Sequence, residues 1–417
     1  MLLIYRILIN LITLISPVII LIRLFKKKEH PKRFLEKFCF FSKKKNKGKL
    51  IWFHGSSVGE ILSIIPLIEK LEKNKDIKQI LVTSSTLSSS TVLQRLNFKK
   101  TIHQFFPIDT NFLSEKFLNF WKPSMAIFIE SEIWPNMILN IKKKSIPLLL
   151  LNARITKKSF NKWNSISSLS KNLFGNFDVT FPQNNETKKY LNILGAKKIK
   201  TIGNLKFSEN EIKKPNTFSK KLNTFFKSKK IWCASSTHKS EEKICAIAHK
   251  KLKQKYKNLL TIIIPRHVHR TKDITEEIKD LELNYCIHSS QDKINKNTEI
   301  YLVDTYGETK SFFRICKTVF LGGSIISHGG QNPLESIRLG CNIIHGPNVS
   351  NFKEIYNLLK LKGLSKKINN SNQLIKTLDI SFNKKENSLK KINQIKKIGS
   401  KILDNTYREV EYYIKKK

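Results

Sequence analysis

Short hydrophobic runs alternate with longer helical patterns along most of the chain. The run at residues 50–54 leads into small residues and then into a helical pattern at 61–71. Hydrophobic runs followed by polar or small residues recur at 80–83, 125–129 and 147–151. Strands that alternate with helices predict a parallel sheet with right-handed crossover connections.

A stretch rich in Lys, Asn and Ser at 208–230 interrupts this rhythm and is the predicted linker. Five further runs predict the strands of a second α/β domain, at 231–234, 259–264, 300–303, 318–321 and 342–344. The segment from Leu389 onward reads as a Lys-rich helix that could pack back on the first domain. Because 417 residues exceed the usual size of one hydrophobic core, two domains are expected. The predicted divisions are a membrane anchor at 1–24, a basic juxtamembrane segment at 25–49, domains at 50–207 and 231–390 joined by the linker, and a C-terminal helix at 391–417.

The amino terminus carries a membrane signal. Residues 2–24 are nearly all apolar, and at about 1.5 Å per residue they roughly match a hydrocarbon core. A cleavable signal peptide is the alternative, but an Ala-x-Ala-like cleavage site is missing. Arg6 and Asn10 make the segment a poor span, so it could instead lie in the membrane interface. The positive-inside rule keeps the following basic residues in the cytoplasm: Lys26, Lys27, Lys28, Lys32 and Arg33.

The net charge of the chain bears on which kind of partner it binds. The chain has 77 Lys and Arg against 32 Asp and Glu, a net charge of +45. Such an excess fits a nucleic acid, an anionic membrane or an anionic substrate. It is spread along the whole chain together with abundant Ile and Asn, so biased codon composition is an alternative explanation for part of it. Six cysteines without a CxxC pair indicate free thiols in a reducing compartment rather than a zinc site.

Candidate chemistry lies at the ends of predicted strands, where open α/β sheets bind ligands. The glycine turn at 322–324 is followed by Pro333 in the first turn of a predicted helix, and a helix start attracts phosphate. A plain loop with a helix cap is the alternative. Glu335 could be a cap or a sugar ligand. Arg266 follows a hydrophobic run and could hold a phosphate or carboxylate, or be an ordinary surface arginine.

Five sequence blocks occur in one order with compatible spacing: WFHGSSVGE at 52–60, ESEIWPN at 130–136, LNAR at 151–154, GNLKF at 203–207 and GGQNPLE at 329–335. Together they resemble the bacterial transferases of 3-deoxy-D-manno-octulosonic acid (Kdo). The resemblance implies an α/β fold of the GT-B type, with two Rossmann-like domains whose parallel sheets face a central cleft, plus the N-terminal membrane helix. It implies an inverting glycosyltransferase that moves Kdo from CMP-Kdo to the lipid A precursor (lipid IVA) in lipopolysaccharide core biosynthesis. Transferases that add one or two Kdo residues share these blocks.

The resemblance also implies residue roles. Glu60 matches the catalytic base, and Glu130 and Lys206 match residues that stabilise the transition state. The alternative for Glu60 is a helix-terminal carboxylate without substrate contact, and for Glu130 and Lys206 a structural salt bridge. The CMP of the donor would be bound by Pro265, Arg266, Tyr306, Gly307, Glu308, Asn332, Pro333, Leu334 and Glu335. Neither a metal nor a cofactor is expected beyond the donor substrate.

The expected partners are CMP-Kdo, the lipid A precursor and the anionic surface of the bacterial inner membrane, with the enzyme on the cytoplasmic face. Two alternatives remain open at this point. The chain could be another GT-B protein, acting as a nucleotide-sugar transferase or epimerase. It could also be a basic nucleic-acid-binding protein. Against a nucleic-acid partner, Lys and Arg form no single stripe interleaved with aromatic residues, and RNP-like and helix-turn-helix signatures are absent from the sequence.

Overall fold

The computed structural model describes residues 1–209, 218–384 and 388–416. The chain divides into two units, one formed by Met1–Asn210 with Ile398–Lys417 and the other by Glu211–Lys397. Each unit contains one parallel β-sheet and the helices that connect its strands. The predicted class, α/β with two parallel-sheet domains, is confirmed.

The first unit begins with the apolar helix α1 and continues as alternating strands and helices. A short 3-10 helix, Phe34–Phe38, precedes the sheet, and another, Leu205–Ser208, follows it. In chain order the elements are α1 (Leu2–Phe25), β1 (Lys49–His54), α2 (Val58–Glu72), β2 (Ile77–Ser84), α3 (Leu87–Gln94), β3 (Thr101–Phe105), α4 (Asn111–Trp121), β4 (Met125–Ile129), α5 (Pro135–Lys143), β5 (Leu148–Ala153), α6 (Lys157–Asn164), α7 (Ser167–Gly175), β6 (Val179–Pro182) and α8 (Asn185–Ile193).

The sheet of the first unit has the order β3-β2-β1-β4-β5-β6. Its central strand β4 is buried throughout, with Met125–Ile129 at most 1% exposed. A strand covered on both faces reads as a continuous apolar run, which is why the sequence predicts it. At about 1.5–3 kcal/mol per buried large aliphatic or aromatic side chain, the central strands supply much of the stability of this unit.

The second unit repeats the scheme with seven strands in the order β13-β12-β11-β7-β8-β10-β9. Short 3-10 helices occur at Val268–Arg270, His288–Lys293 and Ser350–Phe352. In chain order the elements are α9 (Lys220–Lys227), β7 (Lys230–Thr237), α10 (Glu241–Leu252), β8 (Leu259–Pro265), α11 (Thr271–Asp280), β9 (Tyr285–Ile287), β10 (Ile300–Leu302), α12 (Thr309–Ile315), β11 (Thr318–Leu321), α13 (Leu334–Arg338), β12 (Asn342–His345), α14 (Lys353–Leu361), β13 (Ser365–Lys367) and α15 (Ser371–Asn383).

The last helix, α16 (Ser388–Lys415), returns the chain to the first unit from Ile398 onward. There Gly399 packs so close to the backbone of Phe207 that a Cβ at this position would lie 2.3 Å from the Phe207 carbonyl oxygen. Lys200 and Glu409 form an ion pair at 2.6 Å. The C-terminal helix therefore helps to hold the 3-10 helix Leu205–Ser208 in place.

Part of the predicted linker at 208–230 is helical. Residues 210–217 lie outside the described residues, and α9 follows them with Leu222 and Phe226 buried. The polar composition of this stretch hides the helix, because only two of the eight residues of α9 are buried.

Candidate functional site

The order in which strands join the sheet of the first unit reverses between β1 and β4. The chain adds β2 and β3 on one side of β1, then returns to add β4, β5 and β6 on the other side. Such a switch point opens a crevice at the carboxyl ends of the two strands. Glu60 follows β1, and Glu130 and Glu132 follow β4. Three carboxylates are thus brought to one place.

Glu60 lies in the first turn of α2, where its carboxylate completes a capping box. Glu60 Oε2 accepts a hydrogen bond from the Ser56 amide at 2.7 Å, and Oε1 accepts one from the Ser57 hydroxyl at 2.9 Å. The helix-cap contact considered above is therefore present. A carboxylate oxygen can accept two hydrogen bonds, so this cap leaves capacity at Oε1 for a substrate hydroxyl.

The surroundings of Glu60 favour its protonated form. Burial raises its pKa, and the negative charges of Glu132 and Glu130 raise the pKa further, against hydrogen bonds from Ser57 and Ser56 that lower it. The net shift is upward. A carboxylate with a raised pKa takes up a proton more readily, which is the property that a general base needs.

Glu130 and Lys206 form a largely buried ion pair. Lys206 Nζ lies 2.6 Å from Glu130 Oε1, with the lysine side chain 16% and the glutamate side chain 7% exposed. Lys206 belongs to the 3-10 helix Leu205–Ser208, whose start is fixed by Asn204, since the Asn204 side chain accepts a hydrogen bond from the Lys206 amide at 2.9 Å. The salt bridge named as the structural alternative thus exists, and it lies at the same strand ends as Glu60.

The backbone at these strand ends is strained. Glu130 and Asn152, which follow or end neighbouring strands β4 and β5, have φ of 54° and 51°. This left-handed conformation costs roughly 1–3 kcal/mol at a residue other than glycine, and asparagine tolerates it better than glutamate. Asn152 also accepts a hydrogen bond from the Leu205 amide at 3.1 Å. The strained pair therefore links both strand ends to the segment that carries Lys206.

Glu132, for which the sequence predicts no role, accepts three short hydrogen bonds at a single oxygen. Its Oε2 accepts hydrogen bonds from His54 Nε2 (2.9 Å), the Ser56 hydroxyl (2.7 Å) and Trp134 Nε1 (2.7 Å). Burial alone would raise the pKa of Glu132, but the hydrogen bonds and the nearby His54 outweigh burial and lower it. The sequence carries one signal for this contact. His54 is a polar residue at the end of the otherwise apolar strand β1, and such a residue needs a hydrogen-bond partner such as Glu132.

The predicted donor-binding residues all belong to the second unit. Pro265 ends β8, and the others follow β8, β10 or β11. These strands run in parallel in one sheet, so their carboxyl ends share one edge. Arg266 follows β8 directly, its amide bonds to the Thr237 carbonyl at 3.0 Å, and its side chain is exposed. Tyr306 is 70% exposed. This edge contains Pro265, Arg266, Tyr306, Gly307, Glu308, Asn332, Pro333, Leu334 and Glu335.

Several of these polar side chains already have protein partners. Glu308 contacts His288 Nε2 at 3.1 Å and accepts a hydrogen bond from Thr305. Glu335 pairs with Lys310 at 3.2 Å, and Asn332 Oδ1 accepts a hydrogen bond from the Leu334 amide at 3.1 Å. Asn332 thus forms a local turn with its own backbone two residues on, just before the short helix α13.

The glycine turn after β11 is occupied by a carboxylate of the chain itself. Glu241, which is fully buried, accepts hydrogen bonds from the amides of Gly323 (2.6 Å), Ser324 (3.0 Å) and Ile325 (2.9 Å). The His238 amide donates a fourth at 3.0 Å. The sequence predicts a phosphate site that includes this turn, but the amides of the turn bond to Glu241. The region around α13 and Arg266 is left for an anion.

Within the described ranges 1–209, 218–384 and 388–416, no three His, Cys, Asp or Glu side chains are grouped in a way that could hold a metal ion.

Comparisons with known proteins agree on one family. The family model for 3-deoxy-D-manno-octulosonic-acid transferases (kdotransferases) matches residues 32–209. The 3-deoxy-D-manno-octulosonic acid transferase of Rickettsia bellii (strain RML369-C) is 33% identical over 390 residues, which cover 91% of this chain and 93% of that protein. The corresponding transferase of Haemophilus influenzae is 29% identical, over 81% of this chain and 80% of that protein.

Among solved structures, the putative UDP-N-acetylglucosamine 2-epimerase of Listeria monocytogenes superposes with a TM-score of 0.58, over 88% of this chain and 97% of that one. At 14% identity this similarity concerns the fold alone. The sequence relatives, by contrast, share one named activity over nearly the whole chain. The chain belongs to the 3-deoxy-D-manno-octulosonic acid transferase family and is a glycosyltransferase.

Proposed function

We propose that this glycosyltransferase moves Kdo from CMP-Kdo to the lipid A precursor, lipid IVA, with inversion at the anomeric carbon. Membership of the Kdo transferase family supports the sugar and the donor. The observation that carries the mechanism is the placement of Glu60, a carboxylate with a raised pKa, at the switch point beside Glu130 and Lys206.

In the proposed reaction Glu60 is the general base. A hydroxyl oxygen of the acceptor attacks the anomeric carbon of Kdo while its proton passes to Glu60. The bond between the anomeric carbon and the phosphate oxygen breaks, and its electron pair leaves with CMP. Attack opposite to the departing CMP inverts the configuration. The remaining capacity of Oε1 for a hydrogen bond suits this proton transfer.

Glu130 and Lys206 are proposed to stabilise the charge that develops at the sugar. The transition state gains positive character at the anomeric carbon and negative character at the leaving phosphate. A buried pair with fixed geometry can respond to such charge without reorganisation, because its groups are already oriented. The strained backbone at Glu130 supports this role, since strain of this kind concentrates at functional sites.

The donor is proposed to bind at the strand-end edge of the second unit. The exposed guanidinium of Arg266 suits the phosphate of CMP, and the exposed ring of Tyr306 suits its base. A cation held by the protein is not needed for the leaving group in this proposal, because Arg266 and the start of α13 can stabilise the phosphate. Metal independence is therefore part of the proposal.

The acceptor is proposed to be reached at an anionic membrane surface, on the cytoplasmic face of the inner membrane. Helix α1 is long and apolar enough to cross a bilayer by length and composition, and most of its side chains are exposed. Lys26, Lys27, Lys28 and Lys32 after it are exposed and can attract anionic lipid. Arg33 differs, because its guanidinium bonds to Glu36 at 2.8 Å within the protein.

The contacts of α1 favour a helix that lies in the interface rather than one that crosses the bilayer. Near its start, Tyr5 donates a hydrogen bond to Asp109 at 2.7 Å, and Arg6 donates one to Asn136 at 2.9 Å. Burial raises the pKa of Asp109 to about 7. A 24-residue helix is about 36 Å long. If α1 crossed the membrane, Tyr5 and Lys26 would lie on opposite sides of it. Tyr5 could then not contact the catalytic part of the first unit, which lies on the same side as Lys26.

The overall reaction is tested by product mass. Purified protein, CMP-Kdo generated in situ and tetraacylated lipid A precursor are expected to yield the acceptor plus Kdo, with the same yield in chelator-treated protein. UDP-sugars and CMP-sialic acid serve as competing donors. Transfer from another donor in preference to CMP-Kdo would exclude this function, and strict dependence on added magnesium would exclude the metal-free donor site.

Substitution of the base should separate chemistry from donor binding. In Glu60→Gln the side chain keeps its size but cannot take up the proton, so transfer should fall by about 10²–10⁴-fold. CMP affinity should be unchanged in an equilibrium binding measurement. In the unmodified enzyme, transfer should decline as the pH falls and Glu60 becomes protonated. This decline should begin at a higher pH than for an ordinary glutamate, because the pKa of Glu60 is raised.

The matched control is Glu72→Gln, at the other end of α2. Glu72 accepts hydrogen bonds from the Lys100 amide and the Thr101 hydroxyl, and no role in the reaction is proposed for it. This variant should transfer Kdo normally. A fully active Glu60→Gln enzyme would remove Glu60 from the role of base.

A double-variant cycle distinguishes a structural ion pair from a functional one. Lys206→Met should cost about 3–5 kcal/mol of unfolding free energy, because Glu130 is left buried without its partner. In Glu130→Gln/Lys206→Met part of this loss should be recovered, while transfer stays absent. The exposed pair Lys250 and Glu282 is the control, and Lys250→Met should cost less than about 1 kcal/mol. Recovery of transfer in the double variant would show that the pair is structural only.

The arrangement of α1 is tested by finding the side of the membrane on which its N-terminus is accessible to a protease. A protease-cleavable tag placed before Met1 should be cut in inside-out membrane vesicles and protected in right-side-out vesicles. A tag placed after Lys417 should show the same pattern. The reason is the contact of Tyr5 and Arg6 with the catalytic body. Cleavage of the N-terminal tag in right-side-out vesicles alone would show that α1 crosses the bilayer.

A further inference from the structure

Glu132 has no role in the proposed reaction, although three side chains donate hydrogen bonds to one of its oxygens at the switch point. The residue is 9% exposed. Three donors, from His54, Ser56 and Trp134, converge on its Oε2 at 2.7–2.9 Å. A carboxylate that accepts several hydrogen bonds is held in its charged form and in one orientation. Glu132 is thus a fixed negative charge.

Ser56 connects this charge to the base. Its hydroxyl donates to Glu132 Oε2 at 2.7 Å, while its amide donates to Glu60 Oε2 at 2.7 Å. Its carbonyl oxygen accepts a hydrogen bond from the Ser89 hydroxyl at 3.2 Å. Ser56 is therefore held at its side chain, amide and carbonyl together, so the position of Glu132 determines where the amide that holds Glu60 lies.

The charged groups around Glu60 do not contribute equally. Glu130 is paired with Lys206 at 2.6 Å, so its field at Glu60 is partly cancelled. Glu132 contacts His54, whose ring also bonds to Thr83 on the neighbouring strand β2. Helix α3, which packs against α2, has no charged residue. Consistent with this arrangement, Glu132 raises the pKa of Glu60 more than Glu130 does.

We infer that Glu132 is a positioning residue for the base: it fixes the Ser56 amide that holds Glu60 and keeps a permanent negative charge beside the carboxylate that takes up the acceptor proton. The inference rests on the proposed function, because it presupposes that Glu60 is the base. His54 and Trp134 act one step further out, by holding Glu132 in its orientation. The contact is one of placement and charge, and Glu132 itself does not touch the substrate.

The test is the pH dependence of transfer by Glu132→Gln. The amide keeps the size of the side chain and one accepting oxygen for Ser56, but it removes the charge. We expect kcat to fall about 3- to 30-fold, since a weaker base transfers the proton less effectively. We expect the acidic limb of the kcat profile to move to lower pH by about 0.5–1 unit. CMP affinity should not change.

A second substitution separates the charge from the placement. Glu132→Asp keeps the charge but is shorter by one methylene, so it cannot reach all three donors. Its acidic limb should stay near that of the unmodified enzyme while kcat falls. Glu72→Gln, which removes a carboxylate at the far end of α2, should change neither quantity. Thermal unfolding and CMP binding of each variant establish that it is folded.

The outcomes separate this inference from the proposed function. If Glu60→Gln remains active, the base assignment fails and the role of Glu132 fails with it. If Glu60→Gln is inactive and Glu132→Gln keeps the acidic limb of the unmodified enzyme, only the positioning role is overturned. If Glu132→Gln does not fold, an unchanged kcat in Glu132→Asp would overturn the role equally.

Discussion

The parallel pairing of β1 with β4 is the constraint on which the candidate site depends. Phe53 pairs with Ile127 and His54 with Phe128, so both strands end at the same level. The segments that follow them carry Glu60 on one side and Glu130 and Glu132 on the other. A register shift of one residue would turn every side chain to the opposite face, where its size would no longer match its neighbours in the close-packed core. The hydrophobic core thereby fixes the separation of the acids.

This placement concentrates negative charge in a partly buried region, and the neighbouring residues compensate for it unequally. Lys206 neutralises Glu130 directly, whereas Glu132 is stabilised by hydrogen bonds. Glu60 receives only the bonds of its helix cap and has the raised pKa. The two strained residues, Glu130 and Asn152, cost roughly 1–3 kcal/mol each. Several buried side chains in β4 at about 1.5–3 kcal/mol each outweigh that cost.

The second unit contains a similar parallel sheet, where we propose that the donor binds. At its own switch point, between β7 and β11, the amides that could hold an anion are bonded to the buried Glu241. This internal carboxylate already accepts the amide hydrogen bonds of the glycine turn, so those amides are not available to an incoming phosphate. The polar residues available to a ligand lie further along the edge, where Arg266 and Tyr306 are exposed. The donor site we propose is therefore defined by side chains and a helix start rather than by the turn.

The amino-acid sequence is sufficient to predict the α/β class with two parallel-sheet domains, the central strands, the apolar helix α1 and the family, because continuous apolar runs and ordered motif blocks are local signals. It did not predict β3, β6, β9 and β13, which are the edge strands of the two sheets. Edge strands are short and have one partner, so a run such as Ser365–Lys367 carries no apolar pattern. Two contacts are visible only in the folded chain: Glu132 bonds to Ser56, 76 positions away, and Glu241 accepts the amide hydrogen bonds of the glycine turn. Such contacts depend on which strand ends become neighbours, and that is set by packing of the whole sheet rather than by any local pattern.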